Sequence, residues 1–348
     1  MPELLFPLDS AKKFTDQAIV GHNRWHPDIP AAVTVKPGDA FRVHCREWFD
    51  GAIHNDDSAD DILNAPLTTV HTLSGPFAVE GAKPGDLLIV DILDIGPIPQ
   101  EDSGPLAGQG WGYTGIFPRN NGGGFLTEQF PDAYKAVWDF SGQTATSRHI
   151  PHVSFTGIVH PGLMGTAPSA ALLAKWNARE GALIATDPNR VPPLALPPEP
   201  RDAVLGTLTG DEYTRVAGEA ARTAPPRENG GNQDIKNLTK GSRIFYPVFV
   251  DGANLSVGDL HFSQATVRSL SAVPSRWAAS SIFVWTSSRA EWIPTAFPRT
   301  PSSCRATRIR SIPSGLRSRA LPSRWTANRS TWIHICPTSV RACMRSSI

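Results

Sequence analysis

Asp259 and His261 stand two positions apart in Gly258-Asp259-Leu260-His261-Phe262, a spacing that sends both side chains to one face of a strand. A carboxylate beside an imidazole can hold a divalent cation, which lowers the pKa of a bound water and polarises a carbonyl. The pair therefore points to hydrolysis by an activated water, with Asp259 and His261 as catalytic and metal-ligating candidates. Two blander readings stand beside it: Asp259 matches Asp39 and Asp86 as a turn residue, and His261 reads as a hydrogen-bonded core histidine. Asn55-Asp56-Asp57, with Asp60-Asp61 behind, is a second oxygen-rich spot. Asp56 there is a candidate cation ligand, or part of a solvated loop with a helix-capping acid. His71 lies in an apolar stretch, as a ligand or a satisfied core residue. His149 and His160 fall at expected strand ends, where site residues collect, and His149 is a further catalytic candidate. Trp111, Tyr113 and Phe117 could wall a small substrate pocket that excludes water, or pack their loop onto its own core. A nucleophilic route is poorer. Cys45 alternates with Val43 and Glu47 as a core residue would, and Ser74 and Ser147 lack the strand–elbow–helix context of a nucleophilic serine.

The elements that must position these residues are mostly strands. Residues 41–48 alternate with period two, and 87–93 form a nearly continuous apolar run, as a strand covered on both faces would. Further strands are expected at 66–73, 152–160 and 243–250. Pro37-Gly38-Asp39 and Pro84-Gly85-Asp86 precede two of these strands, and Val257-Gly258-Asp259 opens another. Pro followed by Gly suits a type II turn. Repeated turn-then-strand units imply an antiparallel sandwich. Helices are expected at 170–180, capped by Ser169 and stopped by Gly181, and at 210–222. Residues 183–204 read as a Pro-rich connection, and 96–124 as a long Gly-rich, aromatic loop.

Composition splits the chain in two. Residues 265–348 hold thirteen Arg, five Trp, one acid (Glu291), one Gly and no Lys; residues 1–264 hold all eight Lys and 31 of the 32 acids. The charges are 20 − 31 = −11 before the boundary and 13 − 1 = +12 after it. The tail could be a nucleic-acid-binding arm or a disordered Ser/Arg segment, but five Trp argue against ordinary disorder. An out-of-frame reading of a GC-rich gene fits best. Arg276-Trp277-Ala278-Ala279-Ser280, written AGA TGG GCG GCT TC, reads Glu-Met-Gly-Gly-Phe in another frame, and the bases after Gln264 fit Gly-Asp-Gly-Glu. Residues 1–264 are thus read as the domain, incomplete at its C-terminus, and 265–348 as an irregular tail that is not natively folded. The acidic first part argues against a nucleic-acid partner. With no apolar run near 18 residues, no signal peptide in view, and Cys45 alone before the boundary, the expectation is a cytoplasmic protein without a membrane span.

Several stretches taken together carry a family resemblance: Gly21-His22-Asn23-Arg24-Trp25-His26, Asp50-Gly51-Ala52-Ile53-His54-Asn55-Asp56-Asp57, and Trp111-Gly112-Tyr113-Thr114-Gly115-Ile116-Phe117. Ser147-Arg148-His149-Ile150-Pro151, Pro226-Arg227-Glu228-Asn229-Gly230-Gly231-Asn232 and Gly258-Asp259-Leu260-His261 complete it. The chain resembles the acetamidase/formamidase family, most of all its formamidase members, over residues 1–264. The resemblance implies a mainly β, jelly-roll-like sandwich with a smaller α+β part, a homo-oligomer, and hydrolysis of a small aliphatic amide, formamide to formate and ammonia. It also makes a divalent metal, zinc or calcium, plausible. Where it breaks off, the family continues Gly-Asp-Gly-Glu, so Asp259 and His261 would belong to an Asp–His–Asp–Glu cluster. A non-catalytic sandwich that binds a small amide-like ligand is the alternative.

Overall fold

The computed structural model describes residues 2–98, 110–123, 127–188, 198–263, 272–276 and 279–288, the last two stretches as backbone only. The fold is mainly β, with antiparallel sheets and few helices. A five-stranded sheet runs Glu3–Phe6, Ala40–Cys45, Ala279–Ser288, Leu87–Pro97, Arg243–Pro247, with only the first pair parallel. An eleven-stranded sheet has Leu255–His261 at its centre. That strand pairs antiparallel with His160–Gly165, with Leu73–Val79 and, at one position, with Ala272–Arg276. Trp111–Ile116, Tyr134–Ser141, Thr144–Ser147 and Ser154–Thr156 continue the sheet to one edge. A separate short ribbon pairs Arg24–Trp25 with Ala221–Arg222.

The alternating residues of these strands build one main core. Phe41, Val43 and Cys45 from the smaller sheet lie in one apolar cluster with Phe77, Val79, Leu255 and Val257 from the larger. The rings of Phe41 and Phe77 meet at a tilt of 39° with centroids 5.4 Å apart, and the Cys45 thiol faces the carbonyl of Val257 at 3.8 Å. Cys45 is a packing residue, fully buried. Because every residue of Leu255–His261 is buried, any polar side chain on that strand must be matched inside the protein.

Local chemistry explains where the expectations fail. Leu88, Val90 and Ile92 are buried, but Leu87, Ile89 and Asp91 only partly so and Leu93 is exposed; the 87–93 run has one covered face rather than two. The stretch 66–72 is turn and loop, and its strand begins at Leu73. The region 152–160 yields only Ser154–Thr156, followed by His160–Gly165. The 96–124 loop is interrupted by the strand Trp111–Ile116, whose residues pair one for one with Tyr134–Asp139. Ser169 caps its helix through its side chain, but the helix continues through Gly181 to Thr186. A mid-helix Gly costs only about 1 kcal/mol, and Ala182, Leu183 and Ala185 are good formers that carry the helix past it. Helix Gly210–Glu219 ends three residues early because 221–222 joins the ribbon with Arg24–Trp25. From the segment after 264, Ala272–Arg276 and Ala279–Ser288 run as strands. The rest of that segment lies outside the described residues.

Candidate active site

Asp259 differs from its two counterparts in sequence, Asp39 and Asp86. Gly38 and Gly85 take φ of +92° and +97°, and Asp39 and Asp86 each accept a backbone N–H from three residues upstream at 2.9 and 2.8 Å. Those are turns. Asp259 instead lies inside a buried strand, 1% exposed, and itself takes the left-handed conformation at φ +51°. Non-glycine residues pay for that geometry and keep it where their surroundings fix it, most often at functional sites. Asp234, at φ +49°, shares it.

These two acids meet His261. Its Nε2 lies 3.4 Å from Asp259 Oδ2 and 3.4 Å from Asp234 Oδ1, and the three donor atoms fall within 4.8 Å of one another. Asp234 reaches the strand from another element. The N–H groups of Gln233 and Asp234 both donate to the carbonyl of Gly162, at 2.8 and 2.9 Å, which pins the turn over the neighbouring strand. Gly162 is required to be small: a Cβ there would stand 2.7 Å from His261 Nε2 and 2.8 Å from Asp259 Oδ2. His160 pairs with His261 across the ladder and sets its ring edge-on against it, centroids 5.1 Å apart.

His71 approaches from the loop before Leu73. Its Nε2 is 3.8 Å from Asp259 Oδ2, so the two candidates do converge. Thr223 fixes the ring, because its Oγ1 accepts the His71 backbone N–H at 2.6 Å and lies 2.9 Å from Nδ1. Trp48 stacks on the ring at 5.0 Å and 23°. The Trp48 indole N–H donates to the Tyr113 hydroxyl at 2.6 Å, and that hydroxyl donates to Glu47 at 2.6 Å. The other Glu47 oxygen accepts the N–H groups of Phe49 and Gly51 at 2.9 and 3.0 Å. A chain of three side chains thus braces the imidazole that faces Asp259. Tyr113 and Phe117 are buried, and Trp111 half-buried, in one apolar cluster with Trp48, Phe49, Ile53 and Val70.

The remaining candidates sit elsewhere. Asp56 pairs with the Lys135 ammonium at 2.8 Å, and that hydrogen bond holds its carboxyl below the usual range. Lys135 also takes Asp61 at 2.7 Å and the His54 carbonyl at 3.1 Å, so a lysine supplies the positive charge there. His149 accepts the Val137 N–H at 3.1 Å and meets Asp57 at 2.9 Å. Among the described residues, the group of metal-capable donors is Asp234, Asp259 and His261 alone. Reading the sequence missed Asp234, Glu47, Trp48, Gly162 and Thr223, since no local spacing ties them to Asp259.

A buried serine–histidine contact also emerges, between Ser256 and His22 at 2.6 Å. The other His22 nitrogen donates to the Arg24 carbonyl at 2.6 Å. Burial pushes His22 down to about 4. An imidazole so weakened is a poor general base near neutrality.

Comparison with known proteins places the surrounding chain in a family. The sequence profile of the acetamidase/formamidase family matches residues 7–266. An acetamidase of Mycolicibacterium smegmatis is 67% identical over 264 residues, 76% of this chain and 65% of its own length. A formamidase of Methylophilus methylotrophus is 58% identical over 257 residues, 74% of this chain and 61% of its own. The chain therefore spans less than two thirds of these relatives. A solved γ-lactamase from Delftia acidovorans superposes with a TM-score of 0.77 at 50% identity, covering 82% of this chain and 68% of that one.

Proposed function

The chain belongs to the acetamidase/formamidase family, and from that premise we propose that residues 7–266 carry most of a hydrolytic site for short aliphatic amides, formamide foremost. The observation that supports this reading is the Asp234–Asp259–His261 group. A tetrahedral zinc with bonds of about 2.1 Å has donor–donor edges of about 3.4 Å, the separation of His261 Nε2 from both carboxylates. The donor set contains a histidine nitrogen, which suits zinc better than calcium. The space that a Cβ on Gly162 would fill is kept open beside two of the three donors. When bound, zinc supplies an acidified water and polarises the amide carbonyl.

The chain's own residues do the rest. Thr223 and Trp48 hold His71 so that Nε2 faces Asp259, within reach of a small substrate's polar end. His160 restricts the rotation of His261. The buried Tyr113, Phe117 and Trp48 exclude bulk water and favour a substrate with little or no acyl chain. Asp56 and His149 are not carried forward, each being held by other partners.

The tail belongs to this reading. Family similarity ends at residue 266, where the charge balance inverts and the Arg-rich composition begins. We take 265–348 as translated out of frame, so that part of the polar machinery is lost from the chain as it stands. The frame-restored protein is then a cytoplasmic homo-oligomer with no nucleic-acid partner. No helix among the described residues is long and apolar enough to cross a membrane.

The test is ammonia release from formamide and acetamide by the frame-restored gene product, with zinc measured in the same sample. The expected result is stoichiometric zinc and faster release from formamide, with the chain as it stands inactive. Zinc and amide binding without ammonia would favour a non-catalytic binder. Neither zinc nor turnover would refute the proposal.

A further inference from the structure

Arg24 and Arg222 face one another directly across the two-stranded ribbon. They are 0% and 2% exposed, so two guanidinium groups are buried side by side. Like charges directly opposite in a ladder repel, and buried charges persist when paired. Yet the hydrogen bonds that these side chains make go to neutral carbonyls. Arg24 donates to Asn23, Thr68, Glu199 and Arg201 carbonyl oxygens at 2.8 to 3.2 Å, and Arg222 to that of Leu67 at 2.5 Å. The two acids whose field reaches the pair are turned to other partners: Glu199 to Arg201, and Asp202 to the Thr68 hydroxyl. Tyr213, from the helix Gly210–Glu219, donates to the Ala203 carbonyl, and Arg201 adds further positive charge. The Nε–H of Arg222 is buried with no hydrogen-bond partner among the described residues. Burial, and then Arg222, push Arg24 down to about 9, and burial lowers Arg222 as well.

We propose that the Arg24–Arg222 pair is a buried binding site for a small oxyanion, with the Arg222 Nε–H as its open donor. A water would satisfy that donor but add no negative charge to the field of Glu199 and Asp202, whereas a carboxylate or phosphate oxygen does both. The site is separate from the Asp259 group. The ribbon strand ends at Arg222, and Thr223 opens a bend. Thr223 turns to His71, and Arg222 turns to the carbonyls of the 67–68 loop. An anion on the pair would therefore sit beside the 67–68 backbone that leads to His71, and would stiffen that segment.

The experiment is thermal unfolding of the full chain in a sulfonate buffer at constant ionic strength, titrated separately with sodium formate and inorganic phosphate. A rise of about 5 °C is expected once anion exceeds its dissociation constant a hundredfold, growing further with the logarithm of concentration. Arg222→Gln should abolish the rise and, without added anion, melt no lower than the wild-type protein. Arg222→Lys, which keeps the charge and loses Nε–H, should weaken it at least tenfold. No rise in the wild type would overturn the proposal. So would a rise that survives Arg222→Gln, which would place the anion elsewhere. A Gln variant that melts far lower without anion, combined with an unchanged response in Arg222→Lys, would make the pair structural only.

Discussion

Gly162→Ala tests the candidate metal site with one carbon atom. The added Cβ would fall 2.7 Å from His261 Nε2, 2.8 Å from Asp259 Oδ2 and 2.6 Å from the Asp259 carbonyl. Ordinary contacts of carbon with nitrogen or oxygen begin near 3.4 Å, so at least one donor must retreat by about 0.6 Å. Ligand positions in working metal sites hold to within about 0.2 Å. Displacement by three times that tolerance should cost at least as much as loss of an outer partner, about 10- to 100-fold in zinc affinity. Backbone strain does not confuse the result, because Gly162 is not among the glycines with positive φ. Zinc binding to the apo chain, by calorimetry and by elemental analysis after gel filtration, reads the effect. His261→Gln, which keeps the side-chain volume, should lose zinc to the same degree without crowding. Wild-type affinity in Gly162→Ala, with an intact cooperative unfolding transition, would show that these donors do not bind the ion.

Two further outcomes follow from the buried polar network. His22 is neutral in the fold at about 4, against 6.5 when unfolded, so its burial contributes fully above pH 6.5 and is lost as pH falls toward 4. The contribution is at most about 3 kcal/mol. In urea unfolding, the stability gap between wild type and His22→Gln should narrow across that window, and a constant gap would refute the assignment. Tyr113→Phe removes the acceptor of the Trp48 indole N–H and a donor to Glu47. It should cost about 1–3 kcal/mol by denaturant titration while zinc content stays unchanged; loss of zinc would make Tyr113 part of the metal site.

What the sequence reveals, and what it hides, follows from the range of the interactions. The Pro-Gly-Asp turns are local: Pro presets one torsion, Gly permits the next, and Asp closes the loop on a nearby N–H, so Asp39 and Asp86 were legible from three residues each. The same pattern misleads at Val257-Gly258-Asp259, because there the positive φ has moved from the glycine to the aspartate. A short-range reading sees a turn, while the tertiary surroundings impose a kinked, buried strand. Asp259 and His261 were readable as a pair from their spacing. Their third partner was not, since Asp234 is delivered by two hydrogen bonds to Gly162, whose own smallness has meaning only against His261. Asp56 shows the converse case. An acid-rich loop looks like a cation site, and it is one, but its cation is the ammonium of Lys135, brought from a strand that the loop's own sequence cannot announce. The site is thus assembled from one strand, a turn pinned to its neighbour and a loop, all upstream of residue 264, so a reading error at that boundary would leave these donors in place while removing whatever the lost segment supplied.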